Sequence, residues 1–386
     1  MNFEFTEEQL MIRQAARDYA QRELIQDVIE RDEKAIYPTR HIHTLAELGF
    51  LGMLVAPEYD GGGMDTVSYV LAMEELSKVD SSIGVIISVN NSLVCYGLEK
   101  YGTEAQKQEF LKPLARGDKI GAFLLSEPGA GSDATSQQTT AIDKGDHYLL
   151  NGVKNWITSG HTASVYIVIA QTDRAKGHRG INAFIVNRHA DGITLGPHEN
   201  KMGMRSSDTH SVQFADVKVP KENRIGEEGF GFKFAMKTLE GGRIGIASQA
   251  LGIASGAYEL AVKYAKERKT FGTEIINHQA IAFKLSDMAT QIEAARFLCL
   301  KAAWLKDQGK PYGVASAMAK QFTADMAMQV TTEAVQIHGG YGYVKEYHVE
   351  RLMRDAKLTQ IYEGTSEIQK MVISRAIATG DVELLK

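Results

Sequence analysis

Cysteine, proline and tryptophan are scarce, at two, seven and two among 386 residues. Two thiols, Cys95 and Cys299, are too few for a disulfide framework or a cysteine metal site, and they read as core thiols in a reducing compartment. Seven prolines, beside 44% hydrophobic and 24% charged residues, leave no long disordered or collagen-like tract. No uninterrupted apolar stretch approaches the length needed to cross a bilayer, and MNFEFTEEQL does not read as a signal peptide, so the expectation is an intracellular protein with no membrane insertion. Because that N-terminus also lacks a basic transit segment, a bacterial cytoplasm is expected, with the mature mitochondrial matrix as the alternative. The formal net charge is -5 and lysines and arginines are scattered, which argues against nucleic acid as the main partner.

Several catalytic signatures are missing too. There is no GxxxxGK[ST] loop, no HExxH and no GxSxG elbow, since Gly364-Thr365-Ser366 is followed by Ile368 where glycine would be needed. In GEEGFGFKF, Phe234 stands where a dinucleotide fingerprint needs its third glycine. A metal site is not expected. His41 and His43, two apart on a helix, point apart and read as surface residues, and His338 before Gly339-Gly340 reads as structural.

What is present is a chain long enough for two or three domains. From Thr6 to about Arg116 the periodicity is helical, with further helices at Thr39–Leu48, Thr66–Val79 and Thr103–Ala115. Near Gly121 β-branched residues and turn pairs take over: HYLLNGVKNWIT reads as a hairpin turning at Asn151-Gly152, and VYIVIAQ, INAFIVN, ITLGP and SVQFADVKVP add strands of a sandwich or barrel. After Gly231 long helices return, at about 234–267, 276–307, 314–338 and 366–379. Ile281, Leu285, Met288, Ile292, Ala295, Cys299 and Ala302 alternate four and three apart, the stripe of an antiparallel four-helix bundle. The fold class is therefore mainly α with a central β domain: a helical domain over 1–120, a β domain over 121–232 and a helical bundle over 233–386.

Glu363 draws attention because QIYEGTSEIQ puts a carboxylate at a break in structure, ahead of a helix that Thr365 or Ser366 caps. A glutamate there is ordinarily solvated or complements the helix dipole. Elsewhere LLSEPGAGSD is a small-residue loop rich in backbone donors. NWITSG places Trp156 and Thr158 on one side of a strand, an aromatic face beside a hydroxyl that suits a heteroaromatic ring. ERKTFG, NHQAI and QIHGGYGYV follow.

In order and spacing, FLLSEPGAGSD, NWITSG, GGRIGIASQALGIA, ERKTFG, QIHGGYGYV and RDAKLTQIYEGTSEIQ resemble the acyl-CoA dehydrogenase family over essentially the whole chain, and SVNNSL and GRIGIASQALGIA resemble its short-chain, butyryl-CoA branch. The resemblance implies FAD between the β domain and the bundle. It implies cofactor contacts from Phe123, Leu125, Ser126, Gly131 and Ser132 in the loop, and from Trp156, Ile157 and Thr158 against the flavin. Arg268, Phe271, Gln279, Gln336, Ile337, His338, Gly339 and Gly340 would meet the FAD of a neighbouring subunit, implying an oligomer, a homotetramer. Thr365, Ser366 and Glu367 would touch the same cofactor. Ser132, Glu240, Gly241, Gly242, Arg243, Tyr362 and Gly364 match acyl-CoA contacts.

Glu363 matches the family's catalytic base, which takes the α-proton of a thioester while the β-hydrogen leaves as hydride to flavin N5, giving a trans-2-enoyl-CoA; electrons pass to an electron-transferring flavoprotein. Some relatives carry the base immediately before the motif arginine. That position is Gly242 here, so Glu363 alone remains. The same residues serve the reverse direction, an enoyl-CoA reductase within a complex with an electron-transferring flavoprotein; an oxidase, or a non-catalytic flavin- or CoA-binding scaffold, are the other readings.

Overall fold

The computed structural model describes residues 4–380. Thr6 caps α1 (Glu7–Arg22) by accepting from the Gln9 N–H, and the Gln9 side chain accepts from Thr6 N–H in return. Then come α2 (Val28–Lys34), α3 (Thr39–Glu47), α4 (Thr66–Ser77) and α5 (Ser81–Ser88), which passes through a π-helical stretch, Val89–Cys95, into α6 (Tyr96–Tyr101). The short α7 (Glu104–Gln106) and α8 (Lys112–Arg116) complete this part.

Ser81–Tyr101 is by length and composition apolar enough to cross a membrane, but 94% of its 18-residue apolar window is buried inside the protein. Its serines and asparagines interrupt the apolar run in the sequence, and the amide groups of both asparagines donate to backbone carbonyls inside the fold. Asn90 donates to Leu51 O at 2.8 Å and Leu114 O at 3.2 Å and accepts from Gly121 N at 3.0 Å. Asn91 donates to Phe50 O at 2.9 Å. These bonds tie the π-helical turn to the first strand at Gly121 and to the chain at Phe50, Leu51 and Leu114.

His41 corrects the sequence reading. It is buried, with Nδ1 2.9 Å from Tyr19 Oη and Nε2 3.1 Å from both Asp27 oxygens, and burial pushes its pKa down. Only His43 is on the surface. A spacing of two separates the faces of a helix but does not say which face meets the core.

The eight strands β1 (Gly121–Leu124), β2 (Thr140–Asp143), β3 (His147–Thr158), β4 (Val165–Gln171), β5 (Ile181–Asn187), β6 (Ile193–Leu195), β7 (Thr209–Pro220) and β8 (Arg224–Ile225) form one mixed sheet, ordered β6-β7-β3-β2-β4-β5-β8 with β1 parallel to β4. β4 is buried throughout: Val165, Ile167 and Ile169 join the helical core, while Tyr166, Val168 and Ala170 join the core shared with the N-terminal helices. The expected hairpin at Asn151-Gly152 is not there. β3 runs straight through it, and the chain turns at 144–146, where Lys144 N donates to His147 O. Gly152, at φ +146°, sits at a register shift against β7, where a Cβ would come within 2.5 Å of Thr139 Oγ1. The glycine serves a bulge, for the same conformational reason it would have served a turn.

α9 (Gly231–Glu267) is followed by a two-strand ribbon, β9 (Lys269–Thr270) with β10 (Thr273–Glu274), then α10 (Gln279–Asp307), α11 (Gly313–His338), α12 (His348–Thr359) and α13 (Ser366–Thr379). The α10 stripe from Leu285 to Ala302 is buried, and both cysteines are buried free thiols. α12 is an addition to the helices expected from periodicity; it buries Val349, Leu352 and Ala356 at helical spacing, with Arg351 and Asp355 beside them. α9 packs against α4, α10, α11, α12 and β5, so everything near its midpoint is enclosed.

Candidate active site

Between α12 and α13 the backbone turns through two left-handed residues, Glu363 at φ +50° and Gly364 at φ +89°. A non-glycine residue there costs on the order of 1–3 kcal/mol, so the surroundings must impose it. α11 and α13 do so. Lys320 Nζ donates to Gly364 O at 2.7 Å, and Gln369 Nε2 donates to the same oxygen at 2.8 Å and to Glu363 O at 3.3 Å. Thr365 caps α13 by accepting from Ile368 N, and Asp325 accepts from Ser366 Oγ at 3.0 Å and Gln360 Nε2 at 2.7 Å.

The turn aims Glu363 at α9. Both carboxylate oxygens are shielded from solvent and have no hydrogen-bond partner among the described residues, although the residue as a whole is only half-buried. A Cβ on Gly242 would lie 2.2 Å from Glu363 Oε2 and 2.7 Å from Leu93 Cδ2, so the carboxylate occupies the space that glycine leaves. Burial pushes the Glu363 pKa up to about 7, against the pull of Lys320 and Arg243. The same dryness lowers Lys320 to about 8 and lowers Arg243, whose Nε is also unpartnered among the described residues. Tyr362 Oη donates to Gln249 Oε1. Gly241 opens on Lys306 Nζ and Tyr312 Oη, each 3.8 Å from where a Cβ would be, and Glu240 pairs with Lys237 Nζ at 3.1 Å.

The β domain presents a separate surface. Trp156, 62% exposed with φ +61°, sits in a bulge of β3 against β7, between the buried Lys154 and Ile157. The Ile157 side chain is therefore core and offers only its backbone, while Thr158 is half-buried. The loop after β1 is braced from beneath: Lys154 Nζ donates to Leu125 O at 2.9 Å, Glu127 Oε1 at 2.8 Å and Gln137 Oε1 at 3.1 Å, and Glu127 accepts from Gln138 N and Thr139 N. Asn155 N donates to Ser126 O at 2.8 Å, joining loop to strand. Above this brace Gly131 and Ser132 are exposed, and a Cβ on Gly131 would meet nothing within 4 Å. Phe123, by contrast, stacks on Phe234 at 6.4 Å and belongs to the support.

Arg268, Ile337, His338, Gly339 and Gly340 converge elsewhere, around an open cavity of about 630 Å³ lined also by Tyr264. His338 stacks on Tyr264 at 4.3 Å and is buried. Phe271, 98% exposed, and the exposed Gln279 and Gln336 do not line it. From Gly242 to the end of α9 at Glu267 is 25 residues, about 38 Å of helix. The sequence-predicted residues thus fall into three groups, the Glu363 pocket, the β-domain surface and the Arg268 cavity, the last far along α9 from Gly242.

Three family models span the chain: the acyl-CoA dehydrogenase N-terminal domain over residues 6–118, the middle domain over 122–217 and the C-terminal domain over 229–378. The chain belongs to the acyl-CoA dehydrogenase family. It is 50% identical to a short-chain-specific acyl-CoA dehydrogenase of Clostridium acetobutylicum, over 98% of this chain and all of that one. The solved butyryl-CoA dehydrogenase of Megasphaera elsdenii superposes with a TM-score of 0.96 at 51% identity, covering 98% of this chain and 100% of that chain. A subunit of the caffeyl-CoA reductase–Etf complex of Acetobacterium woodii is 47% identical over 96% of this chain and 98% of that one.

Members of the acyl-CoA dehydrogenase family use FAD. The residues present fit such a group: an exposed indole beside a half-buried hydroxyl, an open small-residue loop above a rigid brace, and an unpartnered carboxylate facing α9. Lys320, Gln369, Gln249 and Lys154 join the site only in three dimensions, and sequence reasoning missed all four. Lys320 carries a usable signal, because it falls on the buried α11 stripe of Ser316, Ala317, Thr323, Ala324 and Ala327, where a lysine is out of place.

Proposed function

We propose that this protein is a FAD-dependent short-chain acyl-CoA dehydrogenase in which Glu363 is the base. The observation that carries the reading is the Glu363 carboxylate, dry, unpartnered among the described residues and raised to about pKa 7 by burial. An α-proton of a thioester is weakly acidic, and its removal needs a base whose pKa is near the working pH and whose position is fixed. The clamp from Lys320 and Gln369 fixes the backbone, and Gly242 admits the carboxylate. Bound FAD supplies the two-electron acceptor that takes the β-hydrogen as hydride. Ser126, Gly131, Ser132, Trp156 and Thr158 are the residues of this chain that would hold its ring and phosphates, with Thr365, Ser366 and Glu367 at the start of α13. Arg243, a buried cation near the base, suits the polar groups of CoA.

The other group, Arg268, Phe271, Gln279 and 336–340, is assigned to the cofactor of a neighbouring subunit in a homotetramer. The roughly 38 Å of α9 between it and Gly242 supports that assignment. Electrons leave to an electron-transferring flavoprotein. The test is anaerobic addition of butyryl-CoA to the yellow holoenzyme. Flavin absorbance should bleach, and Glu363→Gln should slow bleaching by about 10² to 10⁴; an unaffected variant would refute Glu363 as base. The similarity to the caffeyl-CoA reductase–Etf subunit favours an alternative reading, physiological reduction of an enoyl-CoA. Co-purification with the electron-transferring flavoprotein and NADH-dependent reduction of crotonyl-CoA would select it.

A further inference from the structure

Glu363 is not the only unpartnered polar group that faces α9. Tyr69, on α4, is 1% exposed and its hydroxyl has no hydrogen-bond partner among the described residues. It lies against Gly245, where a Cβ would come within 2.6 Å of Tyr69 Oη and 2.4 Å of Ser88 Oγ. Gly242 and Gly245 are three residues apart, so they share one face of the helix with an axial rise of about 4.5 Å. Gly242 faces the Glu363 carboxylate and Leu93, whereas Gly245 faces two hydroxyls. Ser92 continues the row, donating to Ser88 O at 2.6 Å with its Oγ 3.5 Å from Ser88 Oγ. On the adjoining face, Gly241 opens on the Lys306 ammonium and the Tyr312 phenol. A cation and a phenol suit the polar CoA arm, which leaves the Tyr69 side for the hydrocarbon tail.

We propose that Tyr69, with Ser88 beside it, is the floor of the acyl cavity and the specificity-determining residue that restricts the substrate to short acyl chains. This rests on the acyl-CoA reading above. A tail whose α-carbon lies at Glu363 has less than one turn of α9 before it meets the phenol. Longer tails meet a fully buried aromatic ring.

The experiment compares kcat/KM for C4, C6 and C8 acyl-CoA in the wild-type holoenzyme, Tyr69→Leu and Tyr69→Phe, with flavin content and thermal melts as controls. Tyr69→Leu should raise the C8:C4 ratio at least about tenfold, because each accommodated methylene adds discrimination of that order. Tyr69→Phe keeps the bulk and should hold the ratio within about threefold. If Tyr69→Leu does not fold, Gly245→Ala tests the same floor from the other side: its methyl shortens the cavity, and the C6:C4 ratio should fall by about tenfold. A folded, flavin-loaded Tyr69→Leu with an unchanged C8:C4 ratio, or Gly245→Ala with an unchanged C6:C4 ratio, would overturn the assignment. A wild-type protein that no acyl-CoA bleaches would overturn the function itself. Bleaching by butyryl-CoA with both ratios unmoved would overturn only the role of Tyr69.

Discussion

Gly242→Ala is the smallest change that should disable this enzyme without touching its base. The added Cβ would sit 2.2 Å from Glu363 Oε2, where ordinary contact begins at 3.4 Å, so the carboxylate must retreat by about 1.2 Å. Leu93 Cδ2 closes the other side at 2.7 Å, which prevents the methyl from leaning away. The base cannot follow by moving its backbone, since Lys320 and Gln369 pin the carbonyl of Gly364 and Gln369 also holds that of Glu363. A misplacement of about 1 Å in a catalytic group costs about 10² in rate. Alanine in a helix interior is favoured over glycine by about 1 kcal/mol, which offsets part of the packing strain. The variant should therefore melt near the wild type, keep its flavin, and bleach about a hundredfold more slowly with butyryl-CoA in anaerobic stopped flow. A flavin-loaded Gly242→Ala within about threefold of the wild-type rate would refute the argument that the glycine exists to seat the carboxylate.

Four further outcomes follow from the same pocket and its support. Because burial raises Glu363 to about 7, kcat/KM should fall about tenfold per unit as pH drops below 7 and level off above it; a profile flat down to pH 5 would sink the assignment. The sign for stability is the reverse: the folded state holds this proton more tightly than the unfolded chain, so stability is full below about pH 4.5 and is lost as pH rises through 7, by about 3 kcal/mol, and the Glu363→Gln advantage in melting should grow across that window. Lys320→Met removes both a cation that lowers the base's pKa and the donor to Gly364 O, so the activity profile should move to higher pH and recover partly near pH 9; an unshifted profile would show that Lys320 acts only as packing. Lys154→Met strands the buried Glu127 under the flavin loop and should cost about 3–5 kcal/mol in a denaturation experiment, with wild-type stability as the refuting result.

The parts of this fold that are legible in the sequence are those where a local pattern leaves few alternatives. The α10 stripe has to face a core, and the Thr6 and Thr365 caps mark helix starts by their own hydrogen bonding. Asn151-Gly152 is ambiguous because a positive φ serves a turn or a bulge equally, and only pairing with β7 over the length of β3 decides. His41 is misread for a related reason: its partners Tyr19 and Asp27 lie on other elements, so nothing local distinguishes a satisfied buried imidazole from a solvated one. Tyr69 and Gln249 read as ordinary members of helices, and their polar atoms acquire meaning only when α4, α9 and the turn before α13 meet.

The base shows most clearly how two weak signals become one constraint. A glutamate at a structural break is by itself more often solvated than catalytic, and a pair of glycines inside a long helix is by itself a small loss of helix stability. In three dimensions the left-handed turn at Glu363-Gly364 points the carboxylate inward, and glycine at 242 spares it the Cβ that would collide with it. Each feature is costly alone: backbone strain at one, lost helix propensity at the other, and an unpartnered carboxylate between them. A chain selected for stability alone would have closed that gap with an alanine and turned the carboxylate out to water. That the three costs coincide at a single point is the physical signature of a site kept open for a reacting molecule.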